Sequence, residues 1–251
     1  MKEHHAIDDD DGLPDAMSSC WPWAREALAR FASKDALVWV DDQENPPCAR
    51  SVTYAELIEM AGNVSRVVAR QVGDDETGIG LCLDNSLAAC AVQLGALWAG
   101  HHFVPLDQPS AQPQLREMLN ASRIAAIFCC PNRAAEVRRV VDGCSHSIAV
   151  LLIDDAELTR PACARLCMAD ASAEAAPSAA IRPRSCRRIC TFHTSGTTGM
   201  PKPIHSTPEQ WHAFVTAAAQ PYHLTPASRV FLATSAIFDP SAGLCFAALA
   251  A

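Results

Sequence analysis

A chain of 251 residues, 49% hydrophobic and 19% charged, holds ample apolar material for a buried core, which excludes wholesale disorder, collagen-like repeats and a coiled coil. Its net charge of −8 argues against a general nucleic-acid binder, because phosphates are neutralised by clustered Lys and Arg. No apolar run approaches the ~20 residues of a membrane span, so no membrane partner is expected.

Residues 1–22 carry Asp8-Asp9-Asp10-Asp11 where a leader would need a basic flank and an apolar stretch. They read as a solvated acidic tail on a cytoplasmic protein, ahead of one partial domain at 23–251. Residues 23–32 have the spacing of a short amphipathic helix, 36–40 read as a strand, and 41–50 as a polar turn containing Pro46-Pro47. Extended structure resumes at 51–53. Over 54–71, Leu57, Ile58, Ala61, Val64, Val67 and Val68 recur at helical spacing, and Gly73 stands where a left-handed cap is wanted. A strand at 78–83 precedes an almost uniformly apolar helix at 86–99, expected to be buried, with Gly100 just past its end. Strands at 103–106, 124–130 and 148–153 then alternate with helices at 115–121 and 134–141. This rhythm predicts an α/β fold: a mainly parallel, doubly wound sheet flanked by helices, with short apolar strands buried on both sides. An Ala-, Ser-, Pro- and Arg-rich stretch at about 155–188 breaks the rhythm and reads as a loop or insertion.

Twelve Cys in a cytosolic-looking chain do not argue for a disulfide framework. Cys82, Cys90, Cys129 and Cys130 lie in apolar context, where a thiol behaves as a small hydrophobe. The pairs Cys163/Cys167 and Cys186/Cys190 have offsets comparable to zinc sites, although two intervening residues are commoner than three. Cys190 belongs to a strand-like run, and a metal site is the minor reading.

The chemistry concentrates at residues 190–202. An apolar strand runs into Thr194, Ser195, Gly196, Thr197, Thr198, Gly199, Met200, Pro201 and Lys202. Four hydroxyls, two Gly and a Lys make a phosphate cradle: Gly turns backbone N–H groups toward an anion, hydroxyls donate, and Lys adds positive charge. The spacing fits neither a Walker A loop, with four residues between its glycines, nor the dinucleotide fingerprint. An ordinary hairpin connection is the bland alternative.

The run TSGTTGMPK resembles the phosphate-binding signature of the adenylate-forming (AMP-binding) enzymes, which include acyl-CoA synthetases and the adenylation domains of nonribosomal peptide synthetases. Three weaker blocks resemble the family's others, in the family's order: VTYAEL at 52–57, LWAGHHFVPLD at 97–107 and FDPS at 238–241. His193 and the residues leading to FDPS look similar to the β-alanine-activating, aminoadipate-semialdehyde-dehydrogenase-type members. Pro203 departs from the family's commoner Gly. The resemblance implies the N-terminal part of an adenylation domain, which in the complete protein activates a small carboxylic or amino acid with ATP and Mg²⁺ and delivers it to a CoA or carrier-protein thiol or to a reductase domain. It places residues 194–202 on the nucleotide's phosphates and Asp239 on the substrate amine, with helix capping as the alternative for Asp239. The family's adenine and ribose blocks, and a mobile C-terminal domain bearing a catalytic Lys, follow the last block seen here. No catalytic residue is therefore assigned, and the isolated chain is expected to be a fragment that is weakly active or inactive. A non-catalytic binding module on the same fold is the other reading.

Outside these blocks, His193 is either near the nucleotide or a satisfied core residue, and His101-His102 are expected to meet the carbonyls of the preceding helix end. His4-His5 belong to the tail. Trp211 is expected to pack one face of a helix whose start resembles a capping box at Thr207.

Overall fold

The computed structural model describes residues 30–41, 47–106, 112–158, 186–195, 201–235 and 239–250. The tail, most of the expected helix at 23–32, Cys163, Cys167 and residues 196–200 of the loop lie outside them.

Strand β1 (Asp35–Asp41) pairs antiparallel with β2 (Cys48–Thr53) as a separate two-stranded sheet. Thr53 ends β2 and caps α1 (Tyr54–Gln71) in the same step. The Glu56 N–H donates to its hydroxyl at 3.3 Å, and its own N–H donates to the Glu56 carboxylate at 2.7 Å. The far end of α1 corrects the expectation at Gly73. Val72 ends the helix in extended conformation (φ −117°), and Gly73 is not in the left-handed region. The chain instead bends at residues 72, 74 and 75 before β3 begins at Gly78, without a left-handed glycine.

The left-handed glycine is Gly100 (φ 84°), which closes α2 (Leu87–Trp98). Its N–H donates to the Leu97 carbonyl and that of His101 to the Ala96 carbonyl, which satisfies two C-terminal acceptors at once. All twelve residues of α2 are buried, and Gly95 sets how closely it approaches α1. A Cβ at Gly95 would lie 2.6 Å from Val64 and 2.7 Å from the Ala61 carbonyl oxygen.

The main sheet comprises β3 (Gly78–Cys82), β4 (His102–Pro105), β5 (Ile124–Cys129), β6 (Ala149–Leu152), β7 (Cys190–Ser195) and β8 (Pro201–Ser206), in the order β6-β5-β3-β4-β7-β8. The first five strands in chain order are parallel to their neighbours, and β8 returns antiparallel to β7. Each face has its own core. On one face α1 and α2 bury Leu57, Val64 and Leu94 against Phe103 and Phe128. On the other, α3 (Gln112–Ala121) and α4 (Ala134–Val141) bury Leu119, Val137 and Val140 against Val104, Ile124 and Ile127. Helices on both faces of a mostly parallel sheet are the expected fold class. The stretch expected as loop from 155 begins with one helical turn, α5 (Asp155–Leu158). Among the described residues, two further α-helices, α6 (Pro208–Ala219) and α7 (Asp239–Ala250), lie on the face of α1 and α2.

Candidate functional site

The loop emerges from the carboxyl end of β7, the end at which open α/β sheets hold their ligands. Its two flanks are directly opposed: Thr194 pairs with Lys202 and Ser195 with Pro201. The hairpin alternative and the phosphate-loop reading are thus compatible, since the loop joins two strands of a hairpin. Alternation along β7 sorts its side chains. Cys190 and Phe192 enter the core that holds α1, α2, α6 and α7, so Thr194 and its partner Lys202 stand on that same face. Both are exposed. Pro203 lies opposite His193 on a strand at the edge of the sheet, where a residue without an N–H is tolerated.

His193 points to the opposite face. Its Nε2 is hydrogen-bonded to the Ser122 hydroxyl at 2.9 Å, just past α3, and burial pulls its pKa down to about 4. It is a neutral group tying β7 to the helical layer behind the sheet. His205 shares that face and bonds the Thr191 hydroxyl at 2.8 Å; its pKa is also lowered, first by burial.

The expectation for His101-His102 is met only by the main chain, through the His101 N–H on Ala96. The His101 ring instead accepts the Thr77 N–H through Nδ1 at 3.3 Å. His102 is 1% exposed, and its ring nitrogens have no hydrogen-bond partner. Burial, then Arg188, His205 and His101, lower its pKa to about 3. At that value the ring is neutral, and its 3.7 Å approach to Glu76 is not an ion pair. The strand β4 begins at His102, so both rings belong to the sheet's packing rather than to a helix end.

Helix α6 opens with the capping box anticipated at Thr207: the Gln210 N–H donates to its hydroxyl, and its N–H to the Gln210 carbonyl oxygen. Trp211 packs edge-on against Phe103 and Phe246 at centroid distances of 6.3 and 5.8 Å. Phe103 and Phe246 stack at 6.0 Å. This cluster seats α7 on the sheet. Asp239 is the first residue of α7, and its carboxylate lies outside the described side chains.

Sequence reasoning missed Asn85. Its side-chain amide donates to the carbonyls of Leu232 (3.3 Å) and Thr234 (2.6 Å), and its carbonyl accepts from the Ser241 hydroxyl at 3.2 Å. One residue after β3 therefore holds both the segment preceding α7 and the first turn of α7, two positions from Asp239. No local signal announces this, because the partners lie 147 to 156 residues away. Asp155 was missed for the same reason. It accepts the N–H groups of Leu87 (3.3 Å) and Ala88 (2.7 Å), while Ser86 accepts that of Ala89 (3.1 Å). These bonds occupy the N-terminus of α2, and burial raises the pKa of Asp155 above its ordinary value.

A cavity of about 550 Å³ lies between β1, α2, α7 and residues 225–232. Its walls include Tyr54, Gln93, Cys90, Cys245 and Leu249, but neither Thr194 nor Lys202. Among the described residues, none of the β7–β8 hairpin lines it. Among the described residues, no group of three or more His, Cys, Asp or Glu is placed to hold a metal ion, and no helix is long and apolar enough to cross a membrane. Cys163 and Cys167, half of the zinc alternative, lie outside those residues.

Residues 24–251 match the family model described as AMP-binding enzyme, and the chain belongs to that family. The isonitrile lipopeptide synthase of Streptomyces coeruleorubidus is 29% identical over 205 residues, covering 80% of this chain and 13% of that protein. Among solved structures, ATP-bound MatB from Rhodopseudomonas palustris superposes with a TM-score of 0.67 at 18% identity, over 92% of this chain and 44% of that one. The Vibrio cholerae adenylation domain AlmE, in complex with glycyl-adenosine-5′-phosphate, gives 0.67 at 16% identity over 98% of this chain and 45% of that one. These two likenesses establish the fold. The chain spans less than half of each of the two solved chains and about an eighth of the synthase.

Proposed function

We propose that residues 23–251 form the phosphate-holding part of an adenylation domain, preceded by an acidic tail at 1–22. In the complete protein the domain activates a carboxylate, with an amino acid the favoured substrate, by joining it to the adenylyl group of ATP and releasing pyrophosphate. The product would pass to a CoA or carrier-protein thiol. The observation that carries this reading is the β7–β8 hairpin, which sets Thr194 opposite Lys202, both exposed, at the carboxyl edge of a parallel sheet. Membership of the AMP-binding family supports it.

In this reading the hydroxyls of residues 194–198 and the backbone at Gly196 and Gly199 hold the β- and γ-phosphates. Lys202 adds a cation as negative charge builds on the departing pyrophosphate. Asp239 receives the substrate ammonium. Asp239 is the first residue of α7, and helix capping is the alternative role to be tested against amine recognition. The described residues offer Mg²⁺ no resident ligand cluster, and no step is assigned to it.

Titration with inorganic pyrophosphate tests the cradle without requiring an adenine pocket. Lys202→Ala and Thr194→Val should each weaken binding about 10-fold or more, in line with loss of a charge-assisted bond. Equal binding by wild type and both variants would overturn the assignment. Amino-acid-dependent exchange of pyrophosphate into ATP by the full protein, lost in Asp239→Ala for amino acids alone, would distinguish amine recognition from helix capping. Pyrophosphate binding without any such exchange would favour the non-catalytic module.

A further inference from the structure

Two thiols meet across the cavity wall. Cys90, in the first turn of α2, and Cys245, in the middle of α7, bring their sulfurs to 3.6 Å although 155 residues separate them in sequence. Both are buried, at 8% and 5% exposure, and both line the 550 Å³ cavity. A disulfide needs an S–S distance of about 2.05 Å, so closure asks for roughly 1.5 Å, within reach of small side-chain rotations and a slight helix shift. The cavity supplies what an ordinary core pair lacks: room beside the sulfurs for a small oxidant and for the water that leaves.

We propose that Cys90 and Cys245 are a redox couple, and that a peroxide entering the cavity oxidises them to a disulfide fastening α7 to α2. One sulfur, as thiolate, attacks a peroxide oxygen. The O–O bond breaks, a sulfenic acid forms, and the released hydroxide takes up the proton given up by that thiol. The second sulfur then attacks the sulfenic sulfur, the S–OH bond breaks, and the hydroxyl leaves as water with the second thiol's proton. Two thiols and one hydrogen peroxide become one disulfide and two waters, the sulfurs giving up the two electrons that the peroxide gains. Its hydrogen bond with Cys245, then burial, hold the Cys90 thiol well above its ordinary pKa. Thiolate is therefore scarce at neutral pH, and the couple reacts slowly there and faster as pH rises. The linked helix is the one that begins at Asp239 and is held by Asn85 through Ser241.

The test maps the cysteines of the wild-type chain. Reduced protein is exposed to hydrogen peroxide at neutral and at alkaline pH, alkylated with N-ethylmaleimide in denaturant, digested and analysed by mass spectrometry. The expected result is a peptide pair joined through Cys90 and Cys245. It should form several-fold faster at alkaline pH, be released by dithiothreitol, and accompany a higher thermal unfolding midpoint. Recovery of both cysteines in alkylated form, or either one bridged to a different cysteine in place of this pair, would overturn the proposal. Cys245→Ser should abolish the linked peptide. The wild-type map decides the question even if that variant folds poorly.

Discussion

The centre of the sheet and its β7–β8 edge are built by opposite rules. Every residue of β3 and β4 is buried, and the α1–α2 layer above them meets so closely that Gly95 has no room for a methyl group. At the edge, every residue of β8 is half-buried or exposed, and Thr194 and Lys202 are exposed. The centre is shaped by volume and the edge by what it presents. Substitutions in the centre should therefore change stability, and substitutions at the edge should change binding.

The sharpest way to break the centre is Phe103→Ala. Phe103 is 0% exposed between Trp211 and Phe246, and its truncation should cost about 3–5 kcal/mol, measured by denaturant unfolding. A loss below about 1 kcal/mol would mean that this aromatic cluster does not seat α7. Gly95→Ala should cost about 1–3 kcal/mol by overpacking, because the added carbon meets a backbone oxygen that cannot rotate away.

Acid should act on the junction between the two regions. His102 and His193 titrate at about 3 and 4 when folded, below their ordinary value of 6.5. Between those values the unfolded chain binds more protons, so stability is fully present above about 6.5 and falls as pH drops toward about 3. Glu76, Arg188, His205 and His101 surround His102, and Ser122 and His205 adjoin His193. Unfolding midpoints measured across that range should decline, and His102→Gln should flatten the decline.

Smaller effects mark the way outward. Asn85→Ala removes two exposed hydrogen bonds and one part-buried one and should cost about 0.5–1.5 kcal/mol. It should also speed proteolysis within residues 229–235, whose tether it cuts. Lys202→Ala should stay within about 0.5 kcal/mol of wild type in stability while losing pyrophosphate affinity. A large stability loss there would erase the distinction between centre and edge.

What was legible in the sequence follows the same division. The helix read at 54–71 coincides with α1, and that at 134–141 with α4, because periodic apolar faces and caps act over a few residues. The parallel sheet followed from alternation of short apolar strands with helices. Gly73 misled because a glycine near a helix end permits a left-handed turn without requiring one, and the onward path of the chain decides. Residues 201 and 202 read as the end of the motif and 204–206 had no reading, yet 201–206 form β8, since their pairing is set by β7 rather than by their own pattern. Asn85 and Asp155 were invisible because each acts on groups some 67 or more residues away. Residues 196–200, read as the heart of the cradle, lie outside the described residues, so its two flanks carry the structural case.

One further consequence lies in the two prolines of β8. A strand at the edge of a sheet offers a row of unpaired donors and acceptors on which another chain can lay itself down. Pro201 and Pro203 recur at alternate positions of β8 and bring no N–H to such a row. Among the described residues, Pro203 thus removes one donor from that edge. A Pro203→Val chain should keep its fold and become prone to self-association along that edge, a liability that light scattering of concentrated protein would reveal.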